Sequence, residues 1–430
     1  MNDNKQHIPQ GYKNSPLGPI PEDWEVKRLG KECTFIRTNT LSRNQLNDTD
    51  GCVRNIHYGD ILVKYPSIID AQKQSIPFVN KEDYKESMND FIENGDIVLA
   101  DTAEDETVGK ACEIANVGSK KILSGLHTML IRPQRRLFSP CFLGYLVNSV
   151  SYRKQLNALI QGIKVCSLGK QAIANTYFAV PPLPEQRRIV SILSLWDTAI
   201  EKQTALIEKL TLRKRGLMQQ LLMGKKRLKG FEGEWKEVKL GEIAERITRK
   251  NVEDNQNVVT ISAQRGFVVQ TEFFNKSIAS ETLDNYFLVY KDEFCYNKSY
   301  SNGYPMGVIK RMKTFDKAVV TTLYICFALK RETIINIDFF EQYGDSGILN
   351  KELIKVANEG GRAHGLLNVT SSDFFNMHMR IPSIDEQNAI ASVLVNADKE
   401  IEIQKQKLMS LQEQKKGLMQ ELLTGKRRVK

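Results

Sequence analysis

Residues 181–224 read PPLPEQRRIVSILSLWDTAIEKQTALIEKLTLRKRGLMQQLLMG, and the fold follows from how that stretch is spaced. Apolar side chains fall at Ile189, Leu193, Trp196, Ile200, Ile207, Leu210, Leu217 and Leu221, in alternating steps of three and four. That spacing is a coiled-coil seam, narrower than the apolar stripe of an ordinary surface helix. Gln203 and Lys214 are the polar members of the register. Pro184 suits a first helical turn, where the N–H it lacks has no partner in any case. Gly224 stands where a left-handed cap ends a helix.

The stretch occurs twice. Residues 381–425 read IPSIDEQNAIASVLVNADKEIEIQKQKLMSLQEQKKGLMQELLTG, and an offset of 201 aligns them with the first copy without a gap. The seam recurs at Ile390, Leu394, Ala397, Ile401, Leu408, Leu411, Leu418 and Leu422, and Gln404 and Lys415 repeat the polar positions. Ser383 and Glu386 have the spacing of a capping box. The globular openings repeat as well: Trp24, Leu29 and Gly30 correspond to Trp235, Leu240 and Gly241, at an offset of 211. Each half is therefore a globular segment followed by a long helix. The predicted division is a mobile lead-in at 1–20, a first domain at 21–180, a helix at 181–228, a second domain at 229–380 and a helix at 381–430. Apolar runs at 96–99, 129–131, 293–296 and 318–320 predict strands within mixed α/β domains, giving an α+β chain.

The chain end, GKRRVK, leads naturally into the opening PEDWEVKRLG, so the sequence is quasi-circular. Two helices joined through a domain satisfy that closure by running antiparallel, with residue i facing about 607 − i. Ile189 then meets Leu418, Leu217 meets Ile390, and Gln203 meets Gln404, a polar pair that fixes register. A helix of 44 residues is roughly 60 Å long at 1.5 Å per residue. The expected object is a pseudo-twofold spacer holding two unlike heads.

Composition narrows the function. The chain has 430 residues, a formal charge of +10 and 41% hydrophobic content, which allows several cores and a polyanionic partner. Seven cysteines without a C-x-x-C pair favour reduced thiols in a cytoplasm. No run is long and apolar enough to suggest a membrane span. Lys209–Lys229 holds eight basic residues and no acid, and six recur as basic at offset 201, as in a backbone-tracking surface or a partner contact. No Asn/Asp-Pro-Pro-aromatic loop for a flipped base is present, nor a phosphate-binding G-x-x-x-x-G-K-[S/T], and the five histidines lack metal spacing.

PPLPEQ heading a coiled-coil helix, its echo IPSIDEQ, the pair GLMQQLLMGK and GLMQELLTGK, and the W-x4-L-G openings together resemble the specificity subunit of type I restriction–modification enzymes. The resemblance covers essentially the whole chain. It implies two target-recognition domains that each read half of a split double-stranded DNA sequence, with an antiparallel coiled coil setting the gap. It also implies two methyltransferase subunits docked on the helices and two motor–nuclease subunits beyond them. S-adenosylmethionine, ATP and Mg would then belong to those partners and no cofactor to this chain. A fused single-chain methyltransferase and a coiled-coil adaptor without a nucleic-acid role are the alternatives.

Arg, Lys, Asn and His beside aromatic residues are the types that read base edges and stack on bases. In the first domain they cluster at Arg37, Thr38, Asn39, Arg43, His57, Tyr58, Lys120, Lys121 and His127. In the second they are Arg249, Lys250, Arg265, Asn297, Lys298, Tyr300, Arg362 and His364. The helix and partner positions are Ile189, Trp196, Gln203, Leu210, Leu217, Ile390, Gln404, Leu411 and Leu418.

Overall fold

A computed structural model of the chain describes residues 8–271, 283–301, 303–330, 334–357 and 367–429. It divides into two units, Met1–Gln203 with Lys407–Lys430, and Thr204–Gln406. The long helices run Leu183–Leu221 and Ile384–Leu422, so both begin and end at the offset of 201 read from the sequence. Each is 39 residues, shorter than proline to glycine, because the last turn before the glycine has already left the helix. Gly224 (φ 65°) and Gly425 (φ 72°) take the left-handed conformation expected of them. At Gly425 there is a second reason for glycine: a Cβ would lie 2.5 Å from the Pro21 ring.

Each unit contains one half of each long helix, and within each unit the halves run antiparallel. In the first unit Glu185 bonds Arg428 and Asp197 bonds Lys415; in the second, Glu386 bonds Arg227 and Asp398 bonds Lys214. Ile189, Leu193 and Leu418 enter one apolar cluster of the first unit, and Leu217, Leu221, Ile390 and Leu394 one of the second, as the facing rule requires. Long side chains lean toward the start of their own helix. Lys415 thus reaches Asp197 although their numbers sum to more than 607.

The central sheet of the first unit orders its strands Cys33–Ile36, Thr128–Pro133, Ile97–Ala100, Ala111–Ala115 and Ile68–Asp70. Only the last pair is parallel. Ile97 and Leu99 point into a cluster with Phe142, Leu146 and Ile189, while Val98 and Ala100 point into another with Ile56, Ile69 and Ile114. A strand covered on both faces reads as an unbroken apolar run, which is why this stretch was legible. In the second unit Ala244–Ile247, Ile325–Leu329, Phe294–Asn297 and Val308–Arg311 repeat the same four-strand order, all antiparallel. Phe294 and Tyr296 face one cluster and Cys295 the other.

Two-stranded ribbons join each sheet to its helices, Glu25–Arg28 with Tyr177–Val180 and Lys236–Lys239 with His378–Ile381. The short helices Leu29–Glu32 and Leu240–Ile243 follow the ribbons, again at the offset of 211.

Two local expectations are corrected. Residues 8–20 do not trail as a lead-in: Tyr12–Lys13 pairs with Ile20–Pro21, and the Tyr12 hydroxyl donates to the Gly425 carbonyl at 2.7 Å. The capping box at the second helix is half made. Glu386 N–H meets Ser383 Oγ at 3.4 Å, but the Glu386 carboxylate is drawn to Arg227, a charged donor that outcompetes a backbone amide.

One buried carboxylate gives a pH test. Glu113 is 3% exposed and accepts from the Cys141 and Gly144 amides, yet burial dominates and pushes its pKa up to about 7. The native state then holds a proton between about pH 4.5 and 7 that the unfolded chain has released, so this group's contribution falls as pH rises through that window. Urea unfolding should show wild type losing stability from pH 5 to 7.5, with a shallower slope in Glu113→Gln.

Candidate nucleic-acid interface

Four candidates scattered in the sequence of the first unit meet in space. The Tyr58 ring lies between the imidazoles of His57, centroids 4.5 Å apart, and His127, 5.3 Å away and edge-on. His57 caps the helix Tyr58–Val63, its Nδ1 accepting from Gly59 N–H at 3.2 Å. Burial lowers its pKa, with Arg43 and His127 adding to that and Asp60 opposing. The ring is therefore a neutral imidazole whose Nε2 carries the proton. His127 holds a left-handed backbone (φ 53°), and its Nδ1 lies 3.3 Å from the Thr102 hydroxyl and 3.8 Å from Asp101. Arg43 bonds Asp60 at 2.8 Å, with Asp48 at 3.7 Å. The result is a row of three aromatic rings, with Arg43 near His57 held by Asp60.

Other candidates divide by what they already hold. Arg37 bonds Asp90 at 2.7 Å and, with Thr38 and Asn39, lines a cleft of about 190 Å³. Asn39 is an internal brace: its amide donates to Asn55 Oδ1 and the Ser124 carbonyl, and its oxygen accepts from Leu41 N–H. Lys120 donates to the Ala71 carbonyl at 2.6 Å, whereas Lys121 stays exposed over the Phe91 ring.

In the second unit Arg249 pairs with Glu293 and stacks on Tyr290 at 3.9 Å, and buried Asn297 donates to the Ile261 carbonyl; both hold the fold. Lys250 donates to the Asn285 carbonyl while lying over Phe287. Arg265 is exposed at the turn between strands Val259–Ser262 and Gly266–Val269. Tyr300 is 63% exposed. The Lys298 pKa is lowered by burial first and by the nearby Arg246 cation second, which marks a locally positive site. Arg362 and His364 lie outside the described residues.

Sequence reasoning missed one feature in each unit. Arg246 is one, because it sits in a repeated opening that reads as scaffold. The other is a hairpin tip closed by reciprocal Gln161 and Ser167 backbone bonds, with Ile163 fully exposed at its end. Gly162 (φ 96°) is obligatory there, since a Cβ would come within 2.0 Å of the Val165 carbonyl oxygen. The following strand, Cys166–Ser167, pairs with Thr102–Ala103, so the tip springs from the sheet that carries Thr102 beside His127. The available signal was an Ile and a Val flanking a lysine after a lone glycine.

The PEQ and DEQ positions now have a physical account. Gln186, fully buried, accepts from Ser139 N–H at 2.8 Å and donates to the Leu137 and Pro181 carbonyls. Gln387, fully buried, accepts from Asn336 N–H at 2.8 Å and donates to the Ile334 and Pro382 carbonyls. Asp197 joins Lys415 to the Tyr145 hydroxyl, and Asp398 joins Lys214 to the Gln342 amide. Lys214, Arg227 and their repeats are thus spent inside the units, which removes them from the expected backbone-tracking run. Among the other helix positions Gln203 and Leu210 are buried, and Trp196, Gln404 and Leu411 are half-buried.

The frame shared by both halves, with unlike heads on it, has counterparts among known proteins. Residues 21–212 match the family described as type I restriction modification DNA specificity domain. The likeness of the whole chain to type I specificity subunits, read first from the doubled helix, holds along its full length. It is 26% identical to a putative type I restriction enzyme MjaX specificity subunit of Methanocaldococcus jannaschii over 98% of this chain and 97% of that one. It is 25% identical to the MjaVIII specificity subunit of the same organism, covering 96% and 94%. Among solved structures, the type I S subunit from M. genitalium matches at TM-score 0.51 and 15% identity, covering 93% of this chain and 96% of that one. A chain from a study of assembly and conformational transition in a type I system matches at 0.54 and 16%, covering 95% and 99%. These share the fold of two α/β heads with long helices. Among the described residues no group of His, Cys, Asp or Glu is placed to hold a metal, and no helix is long and apolar enough to cross a membrane.

Proposed function

We propose that the chain is the specificity component of a cytoplasmic type I restriction–modification complex, with each unit reading one half of a split, asymmetric DNA sequence. One observation supports this above others: the Gln, Glu–Arg and Asp–Lys contacts of the frame are repeated residue for residue, while the heads they carry differ. Repeated contacts suit what is common to both ends, the helix pair and two methyltransferase subunits docked on it. Unlike heads suit unlike half-sites. The heads correspond to residues 21–180 and 229–380, and the helices to 181–228 and 381–430. In the first head the reading residues are Tyr58, His127 and Thr102, with the tip at Ile163–Lys164; in the second they are Arg265, Lys298 and Tyr300. The methyltransferase subunits would bring S-adenosylmethionine, and two motor–nuclease subunits ATP and Mg.

The test is a domain exchange. Residues 21–180 are replaced by the first head of another specificity subunit, and the sites methylated in the host genome are mapped by single-molecule sequencing. One half of the recognised sequence should change while the other half and the gap stay fixed. A change at both halves would refute independent heads, and methylation without sequence preference would favour the adaptor reading.

A further inference from the structure

The frame also carries a difference between the two units that the repeated contacts do not explain. In the first unit the short helices Leu29–Glu32 and Lys170–Ala174 pack so closely that a Cβ on Gly30 would lie 2.9 Å from Ala174. Their meeting forms an open cleft of about 450 Å³ lined by Arg28, Lys31, Phe35, Lys170, Gln171 and Asn175. None of its lining residues is acidic. Arg28 is tethered to the Asn175 side chain, and the Lys170 ammonium lies 5.0 Å from the Phe35 ring centroid, so two of its three cations are oriented by the protein.

The second unit builds the same pair of helices, Leu240–Ile243 against Ser371–Asn376, and a Cβ on Gly241 would lie 3.1 Å from the Phe375 carbonyl. The chemistry is not kept. Arg28, Lys31 and Lys170 become Lys239, Glu242 and Ser371, while Phe35 becomes Arg246, the cation beside Lys298. A protein partner docked identically on both ends would meet the same charges twice. A DNA backbone followed by two unlike heads need not, because unlike heads are under no requirement to meet the phosphates in the same way.

We infer that the cleft between Leu29–Glu32 and Lys170–Ala174 is a phosphate-backbone contact of the first unit, through Arg28, Lys31 and Lys170. It rests on the reading that this chain recognises duplex DNA, and it adds a positioning surface distinct from the residues that read bases. Phosphate contacts fix register without carrying sequence information and release counterions, so they show in the salt dependence of binding.

The experiment uses the complex of the full chain with its methyltransferase subunits, and duplexes with and without the target sequence. Replacing the three cations (Arg28→Gln, Lys31→Gln, Lys170→Gln) should lower the slope of log K against log salt by about 2–3. Affinity should fall on the order of 10²-fold at 0.1 M salt, equally for target and non-target duplex, with assembly by light scattering unchanged. Lys31→Glu is a second variant that the fold already tolerates, since Glu242 holds the same place in the second unit; its slope should fall by at least about 1. An unchanged slope in both variants overturns the proposal. So does loss of subunit assembly, which would make the cleft a protein-docking site. Target preference is read separately: a wild-type complex that binds duplex without preference sinks the recognition reading, while the slope still decides for or against the cleft.

Discussion

Gln186→Leu is expected to destabilise the first unit by about 3 kcal/mol, because one substitution removes three hydrogen bonds, two of them fully buried, and leaves their partners unsatisfied. The Ser139 amide and the Leu137 and Pro181 carbonyls all bond this side chain, and the Ser139 and Pro181 bonds lie in the buried interior. Leucine fills the volume but supplies neither donor nor acceptor, and buried unpaired groups are costlier than the net worth of the bonds they lose. For a unit of this size that corresponds to a melting temperature lowered by roughly 6–12 °C. Calorimetry on the full chain should resolve it, and Gln387→Leu should do the same to the second unit, whose Asn336, Ile334 and Pro382 bonds are equivalent. Gln186→Glu offers a sharper form of the test: it keeps an acceptor for Ser139 but cannot donate to the two carbonyls, so it should be nearly as harmful. A variant that melts with wild type would mean that the helix is held to its head by apolar packing alone.

The frame was legible because its determinants are local and doubled. A seam of alternating threes and fours has one reading, and two copies at a fixed offset tie helix ends, capping glycines and ribbons to each other. The heads were less so. Ile97–Ala100 and Phe294–Asn297 announce themselves as strands, but their shared place in a four-strand order depends on pairings between residues far apart, which no local pattern encodes. Among the candidate contacts, residue type proved a poor guide to employment. Asn39, Lys120, Arg249 and Asn297 have the chemistry of readers and are occupied as braces, since a buried amide or guanidinium must be satisfied before it can serve anything else. Arg28, Lys31 and Lys170 were passed over for the opposite reason: they stand in stretches that repeat or flank repeats, and repetition reads as scaffold. Ile163 escaped notice because exposure is a property of the fold, and an isoleucine in sequence argues for a core.

Arg428→Ala should cost about 3 kcal/mol although it is the third-last residue of the sequence. Its guanidinium bonds both oxygens of Glu185 at 2.8 Å and reaches Asp23 at 2.7 Å. Glu185 in turn accepts the indole N–H of Trp24 at 3.0 Å, and its side chain is only 4% exposed. These contacts hold the arginine's pKa above its usual value, first through Glu185 and then Asp23. Alanine leaves a buried carboxylate facing a tryptophan N–H and one backbone amide, the situation in which breaking an ion pair is most harmful. The penalty should survive 1 M salt, which screens exposed pairs but not this one. Adding Glu185→Gln to Arg428→Ala should recover part of the loss, because the amide oxygen still accepts from Trp24 and no charge is stranded. The second unit supplies an internal comparison: Arg227 bonds Glu386 in the same fashion, but among the described residues the indole N–H of Trp235 finds no hydrogen-bond partner. Arg227→Ala should therefore destabilise its unit through the stranded Glu386 alone, and Glu386→Gln should rescue it more fully. If Arg428→Ala melts within 1 °C of wild type by calorimetry, the last residues are not what closes the first unit, and the bonds of Tyr12 and Trp24 must suffice without them.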